Sequence, residues 1–285
     1  MKQFVSKKSC STGIKTGMKM LVAGLLGSVM LQAQAQEELK VCAGKDELPY
    51  SNDKQQGFEN EIAKVIGKAL DRKVSFVWWP DARYAVRDFL DKKQCDVLMG
   101  LDKGDPRVTT TQTYYKSGYV FVSRTDREID IKSWDHPYLK ERNFRLGFLP
   151  DSPAKNMMLE IGRFDDMFDY LTELTDFKST RNRYIKIDER KLVDDVANKT
   201  LHAAALWGPS VGKYVAESKT PLTMVLIEDN AKRANGSKIP MQYEVVMGVR
   251  RGDEALKSAL DKAITSSQQE IDAILKREGV PLLPI

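Results

Sequence analysis

The residues of this chain that could do chemistry are arranged for binding, and catalysis has little support. His136 and His202 stand alone, and there is no Gly-x-Ser-x-Gly, His-Glu-x-x-His or P-loop pattern. The acidic pairs Asp165-Asp166 and Asp194-Asp195 read as solvated helix faces. Asp151-Ser152-Pro153 opens a helix whose backbone N–H groups would favour an anion. An ordinary N-cap by Asp151 or Ser152 accounts for the same residues. Trp78 and Trp79 end a strand just before Pro80, so alternation sends them to opposite faces. Trp79 is the better candidate for lining a cleft, with a plain packing role open for both. A further apolar strand ends in Trp207-Gly208-Pro209, with no carboxylate at that point.

Export and charge bound the remaining possibilities. Lys2, Lys7, Lys8, Lys15 and Lys19 make a basic leader without an acid. Met20 to Leu31 is an apolar run too short to span a bilayer, and Ala33-Gln34-Ala35 follows as a small-x-small cleavage signal. Residues 1–35 therefore read as a cleaved secretory signal peptide, with an uncleaved membrane anchor as the alternative. The formal charge of +5 comes from that leader: without its five lysines, 40 basic residues face 40 acidic ones. Nucleic-acid binding and membrane insertion after cleavage are not expected. Cys10 leaves with the leader, so Cys42 and Cys95 remain in an exported chain and predict a disulfide. Two thiols and two distant histidines are too few for a metal site.

The elements that must position these residues alternate between strand and helix. Strands are predicted at 39–43, 74–79, 96–100, 119–122, 144–148, 184–187, 203–207, 223–227 and 243–249. Helices are predicted at 58–70, 82–90, 152–161, 189–198, 210–217 and 254–276. Segment 163–183 does not resolve into a clear period. The Asp96–Gly100 run has little alternation, which suits a buried parallel strand. The order implies an α/β fold with crossover helices. About 250 mature residues are enough for two modest lobes.

With these elements in place, the motifs resemble the bacterial extracellular solute-binding proteins of family 3. The resemblance is carried by Val41-Cys42, Pro49-Tyr50-Ser51, Gly57-Phe58 to Ile62, Asp96-Val97-Leu98-Met99-Gly100, Arg107, and Tyr114-Tyr115-Lys116-Ser117-Gly118-Tyr119. Met247-Gly248-Val249-Arg250-Arg251-Gly252-Asp253-Glu254-Ala255-Leu256 also fits. It implies a type II periplasmic binding protein-like fold: two α/β lobes joined by two hinge strands. Lobe 1 would hold residues 36–121 and 245–285, and lobe 2 residues 122–244. The strand at 39–43 would neighbour that at 96–100, within disulfide reach.

The resemblance also assigns site residues. Arg107 stands at the position that clamps a ligand carboxylate, since guanidinium matches its two oxygens. Tyr50 and Ser51 stand where an aromatic turn lines the cleft. Asn60 replaces an acid carried by many relatives. Trp207 stands where amino-acid binders commonly place an acid for the ligand ammonium, which disfavours free amino acids.

Leu48-Pro49-Tyr50-Ser51-Asn52, Phe58-Glu59-Asn60, Trp78-Trp79-Pro80, Cys95 to Gly100 and Leu206 to Pro209 resemble, more narrowly, the branch of this family associated with quinoprotein dehydrogenases. That narrower resemblance implies a non-enzymatic periplasmic accessory of a PQQ-dependent methanol dehydrogenase. It would bind the enzyme or its large subunit and act in assembly or maturation. PQQ and calcium would belong to the dehydrogenase, as no motif for a cofactor is present here. The rivals are a transport receptor for a small, possibly anionic molecule and a hydrolytic or dehydratase-like enzyme on the same scaffold.

Overall fold

The computed structural model describes residues 37–179 and 185–285, so the leader lies outside the described residues. In chain order the strands are β1 Glu38–Gly44, β2 Asp46–Glu47, β3 Ser51–Asn52, β4 Lys73–Trp79, β5 Val97–Asp102, β6 Thr109–Arg124, β7 Leu146–Phe148, β8 Ala203–Trp207, β9 Leu222–Leu226 and β10 Gln242–Val249. The α-helices are α1 Phe58–Ala69, α2 Pro153–Glu160, α3 Phe168–Leu174, α4 Glu189–Ala197, α5 Gly208–Glu217 and α6 Glu254–Arg277.

β4, β1 and β5 run parallel, and β10 then runs antiparallel to both β5 and β6. β6 is the joint of the molecule. Its residues 109–118 pair with β10, and its residues 119–124 pair with β8 on one side and β9 on the other. The strand is therefore paired in both lobes, with register shifts in its β10 ladder on either side of Val246.

Each lobe has its own core. α1 buries Phe58, Ile62, Val65 and Ile66, the stripe expected of an amphipathic helix. These pack with Leu260, Ile264 and Ile271 of α6 against Val41, Val97 and Met247 of the sheet. Full burial of a side chain such as Phe58 or Ile62 is worth roughly 1.5–3 kcal/mol. The second core gathers Phe148, Met158, Leu192, Val196 and Ala203 to Leu206 with Val120 and Val122 of β6. A smaller cluster of Val86, Leu90 and Leu98 surrounds Cys42 and Cys95. Those cysteines form a disulfide with Cα atoms 5.5 Å apart, joining β1 to the residues that lead into its parallel neighbour β5.

Several expectations need correction. Residues 185–187 are not a strand, and Tyr184 lies outside the described residues. Both edges of β8 are already occupied, by β6 and β7, so a strand from this segment finds no place beside it. β6 begins at Thr109, ten residues before the expected Tyr119, because a polar TTTQT stretch is held as a strand by β10. The helical segment 82–90 is a 3-10 turn followed by a π-helical turn. The unclear segment 163–183 contains a 3-10 turn and α3. Arg163 anchors its start, buried, with its guanidinium donating to Leu139 O, Phe144 O and Asp166.

The disulfide yields the first prediction. A chain lacking residues 1–35 should expose no reactive thiol when denatured without reductant, and two thiols there would refute the pairing. The Cys42→Ser/Cys95→Ser variant should lose ~4 kcal/mol in urea unfolding, the loop-closure entropy of a bridge of this span.

Candidate functional site

Two connected cavities lie where the lobes meet. The first, about 330 Å³, is a basin in lobe 1 whose walls include Tyr50, Ser51, Glu59, Trp79, Arg107, Tyr115 and Trp207. The second, about 640 Å³, is a groove between the Glu47–Tyr50 turn of lobe 1 and Leu149, Asp151, Lys186, Glu189, Ser210 and Tyr214 of lobe 2. Glu47 and Tyr50 line both.

Glu59 is placed by the start of α1, where Gly57 is the N-cap. Its carboxylate accepts a hydrogen bond from the Tyr114 hydroxyl at 3.3 Å, and that hydroxyl accepts from the Gly100 N–H at 3.2 Å. Gly100 takes a φ of +69°, and a Cβ there would come within 2.5 Å of the carboxylate oxygen. The glycine thus serves both the left-handed turn and the close approach of the acid. Burial pushes the Glu59 carboxyl up to about 7, with the Tyr114 hydrogen bond opposing it.

Glu189 is the counterpart across the groove. It is the first residue of α4, behind the N-cap Asp188, where a helix start favours a negative charge. Burial pushes its carboxyl to about 7, partly offset by a hydrogen bond from Ser210. Its Oε2 atom is buried without a hydrogen-bond partner among the described residues. Ser210 also meets Tyr50, with the two hydroxyl oxygens 2.7 Å apart. A chain of polar contacts therefore runs from the lobe 1 turn through Ser210 to Glu189.

Trp207 fills the space beside this bridge. Its ring centre lies 5.5 Å from that of Tyr119 and 5.7 Å from that of Tyr243, and it packs against the core of lobe 1. Further contacts hold the lobes together on both sides. On one side Lys186 pairs with Asp46 at 3.1 Å. On the other, α5 rests on the turn after α6. A Cβ on Gly212 would lie 2.2 Å from Gly279 O, and one on Gly208 would lie 2.3 Å from Pro281. Lys213 pairs with Glu278 at 3.0 Å alongside.

The sequence-predicted residues divide into two groups. Tyr50, Ser51, Trp79, Arg107 and Trp207 converge on the basin. Ser51 is buried and donates to Gly44 O. The Arg107 guanidinium reaches the wall, but Asp105 already takes it side-on through Nε and Nη2. Trp78 points to the other face and stacks on Phe76. Asn60 and Ser152 are not in either lining. Asn60 is fully buried, its Oδ1 accepting from the N–H groups of Asn52 and Gly57 at 3.2 Å each. Ser152 caps α2, accepting from Lys155 N–H and donating to Leu149 O.

Sequence reasoning missed Glu59, Glu189 and Ser210. No carboxylate stands at Trp207, and Glu189 brings one into the neighbouring groove from a different element. Glu59 was within reach of the sequence, since it directly follows Phe58 in the motif that starts α1. Nothing local marks Glu189 as a cleft residue.

The arrangement supports binding chemistry. Three carboxylates, Glu47, Glu59 and Asp102, line the basin with one arginine that is already paired, so it complements a cation better than an anion. No nucleophile stands against a base there, and His202 is spent accepting from Arg145 N–H in lobe 2. No group of three or more metal-ligating side chains occurs among the described residues. No helix among them is long and apolar enough to cross a membrane.

Two α/β lobes around a cleft, with a basin of aromatic and acidic walls, define a periplasmic binding protein-like molecule. Residues 39–278 match the model of the bacterial extracellular solute-binding proteins, family 3, and the chain belongs to that family. Within it, the chain is 43% identical over 249 residues to Protein MoxJ of Methylorubrum extorquens AM1, covering 87% of this chain and 82% of that one. It is 37% identical to Protein MoxJ of Paracoccus denitrificans, over 86% of this chain and 89% of the relative. The crystal structure of MxaJ from Methlophaga aminisulfidivorans MPT superposes with a TM-score of 0.81 at 41% identity, covering 86% of this chain and all of the other. The periplasmic binding protein XoxJ from Methylobacterium extorquens AM1 follows at a TM-score of 0.64 and 26% identity, over 87% of this chain and all of that one.

Two predictions follow from the geometry. Between pH ~4.5 and ~7 the folded protein holds protons on Glu59 and Glu189 that the unfolded chain has released, so its stability falls as pH rises through that window. Each shift corresponds to about 3 kcal/mol at full extent. The Glu59→Gln/Glu189→Gln variant should flatten the pH profile of urea unfolding and exceed the parent at pH ~8; a parent profile no steeper than the variant's would sink this account. Separately, Gly212→Ala should cost about 1–3 kcal/mol and enlarge the radius of gyration, because the added methyl meets Gly279 backbone. Unchanged stability and scattering would show that α5 does not hold the lobes together.

Proposed function

We propose that this protein is a periplasmic accessory of a PQQ-dependent methanol dehydrogenase, acting on that enzyme or its large subunit during assembly or maturation. In this reading it is not an enzyme, and its partner docks on the surfaces around the cleft. The lobes comprise residues 36–121 with 245–285, and 122–244, after removal of the 1–35 leader. The observation that carries the proposal is the cleft itself. The Tyr50–Ser210 contact bridges the lobes across the groove, Trp207 takes up part of the basin wall, and α5 is packed on the turn after α6, so the lobes are already joined to each other without a ligand. The likeness to MoxJ and MxaJ over most of the chain supports the choice of system.

A second reading rests on the basin. Its carboxylates and the rings of Tyr50, Trp79 and Tyr115 suit a small organic cation, which would make the protein a receptor.

Size-exclusion chromatography of the leaderless protein with methanol dehydrogenase from the same cells should give a co-eluting complex. A thermal-shift series of small amines and amino acids should leave the melting temperature unmoved. No complex, together with strong stabilisation by one amine that Glu59→Gln abolishes, would replace the accessory reading with the receptor.

A further inference from the structure

Outside the cleft, lobe 1 carries a second concavity of about 400 Å³ lined by Arg83, Arg87, Arg107, Arg250 and Arg251, with Asp91 as the acid in its wall. The five arginines come from three separated segments: the turn after β4, the loop between β5 and β6, and the end of β10. We propose that this concavity binds a small polyanion carrying two or more carboxylate or phosphate groups.

The guanidinium groups are prepositioned. Asp81, Asp88 and Asp105 hold Arg83, Arg87 and Arg107 in one common mode, with the carboxylate spanning Nε and Nη2. In Arg87 and Arg107 that mode leaves the Nη1 edge for another acceptor. Among the described residues, Nη1 of Arg87 and of Arg107 makes no protein hydrogen bond. The Tyr84 ring fixes two of the planes further, with the guanidinium carbons of Arg83 and Arg87 at 5.4 and 4.5 Å from its centre. Arg250 forms the floor, mostly buried, donating to Cys95 O, Asp96 and Asp253. Arg251 donates to Pro106 O.

The acids sit behind the arginines. Side-chain exposure is 40%, 67% and 51% for Arg83, Arg87 and Arg107, against 18%, 29% and 10% for Asp81, Asp88 and Asp105. An incoming anion meets donor edges at contact range while the compensating charge lies deeper. Fixed guanidinium planes recognise planar oxyanions with little ordering cost. The near balance of charge removes long-range attraction, so recognition is set by hydrogen-bond geometry and requires more than one anionic group.

Isothermal titration of the leaderless protein with citrate and with inorganic phosphate tests this. Citrate should bind saturably at 1:1 and more tightly than phosphate, at a sodium chloride concentration held constant. Arg87→Gln/Arg251→Gln should weaken citrate by at least about tenfold, as loss of charge-assisted hydrogen bonds requires, with the circular dichroism unchanged. Arg190→Gln, in the inter-lobe groove, should leave citrate binding as it was. If the double variant does not fold, citrate-induced NMR shifts on the parent decide: they must centre on 83–91 and 250–251. The proposal is overturned by absence of saturable binding, by equal competition from chloride, by citrate binding that survives Arg87→Gln/Arg251→Gln, by sensitivity to Arg190→Gln, or by shifts centred on the cleft.

Discussion

One unbroken strand, Thr109–Arg124, sets the geometry of the whole molecule. Its ladder partners change from β10 to β8 and β9 at the Gly118–Tyr119 step. Any rotation of one lobe on the other must therefore be absorbed at that step and at its neighbour, where Tyr119 N–H donates to Met241 O at 2.7 Å. Gly118 has little freedom there, because a Cβ on it would lie 3.0 Å from Met241 O and 3.2 Å from Leu226. The Gly208–Pro281 and Gly212–Gly279 contacts press α5 onto the chain beside this step, close enough that only glycine fits. The hinge is thus packed on its flank as well as paired along its length.

Contacts inside the cleft add to the joining of the lobes at this hinge. Tyr50 and Ser210 exchange a hydrogen bond worth about 1 kcal/mol, and Trp207 buries part of a large ring against lobe 1. A ligand bridging the lobes at the Tyr50–Ser210 contact would have to replace that hydrogen bond, and one in the basin would pack against Trp207. The two carboxyls make the same point from the opposite side. Glu59 and Glu189 are held in partly desolvated positions that raise their pKa to about 7, a standing cost to the fold above neutrality. A cation or a partner's basic side chain is the natural complement to such groups.

Much of this was legible from residue order. The Gly-Phe helix start, the apolar Asp96–Gly100 run and the two cysteines placed the first lobe, because each depends on local periodicity or on two residues brought close by neighbouring strands. The polar Thr109–Thr113 stretch was not legible as strand, since its extended form comes from β10, more than a hundred residues away. Residues 185–187 have strand composition, but they pair with no strand and instead line the inter-lobe groove. The site shows the same division. Tyr50, Trp79, Arg107 and Trp207 reached the basin because alternation and motif position fix them. Glu189 did not declare itself, since its burial depends on Ser210 and Tyr50 from two other segments. Asn60 declared itself wrongly as a cleft residue: its amide closes a capping box around Gly57 and Asn52, a role in which a neutral oxygen acceptor suffices.

Arg107 shows how a short motif decides what the cleft can do. In Asp105-Pro106-Arg107 the carboxylate accepts from both the Arg107 N–H at 2.9 Å and the guanidinium, with the side chain of Asp105 only 10% exposed. Two residues of separation keep this acid beside the arginine, on its Nε and Nη2 edge, so that edge is closed to an external carboxylate. The guanidinium in turn holds the Asp105 carboxyl below its ordinary range, which keeps the pair ionised. An arginine tied in this way contributes little positive potential to the basin, where Glu47, Glu59 and Asp102 then dominate. Arg107 also lines the arginine-lined concavity. The Asp-Pro-Arg turn thereby stands between an acidic basin and a basic concavity within one lobe, and the pairing within the turn limits how far the positive charge of Arg107 reaches into the basin.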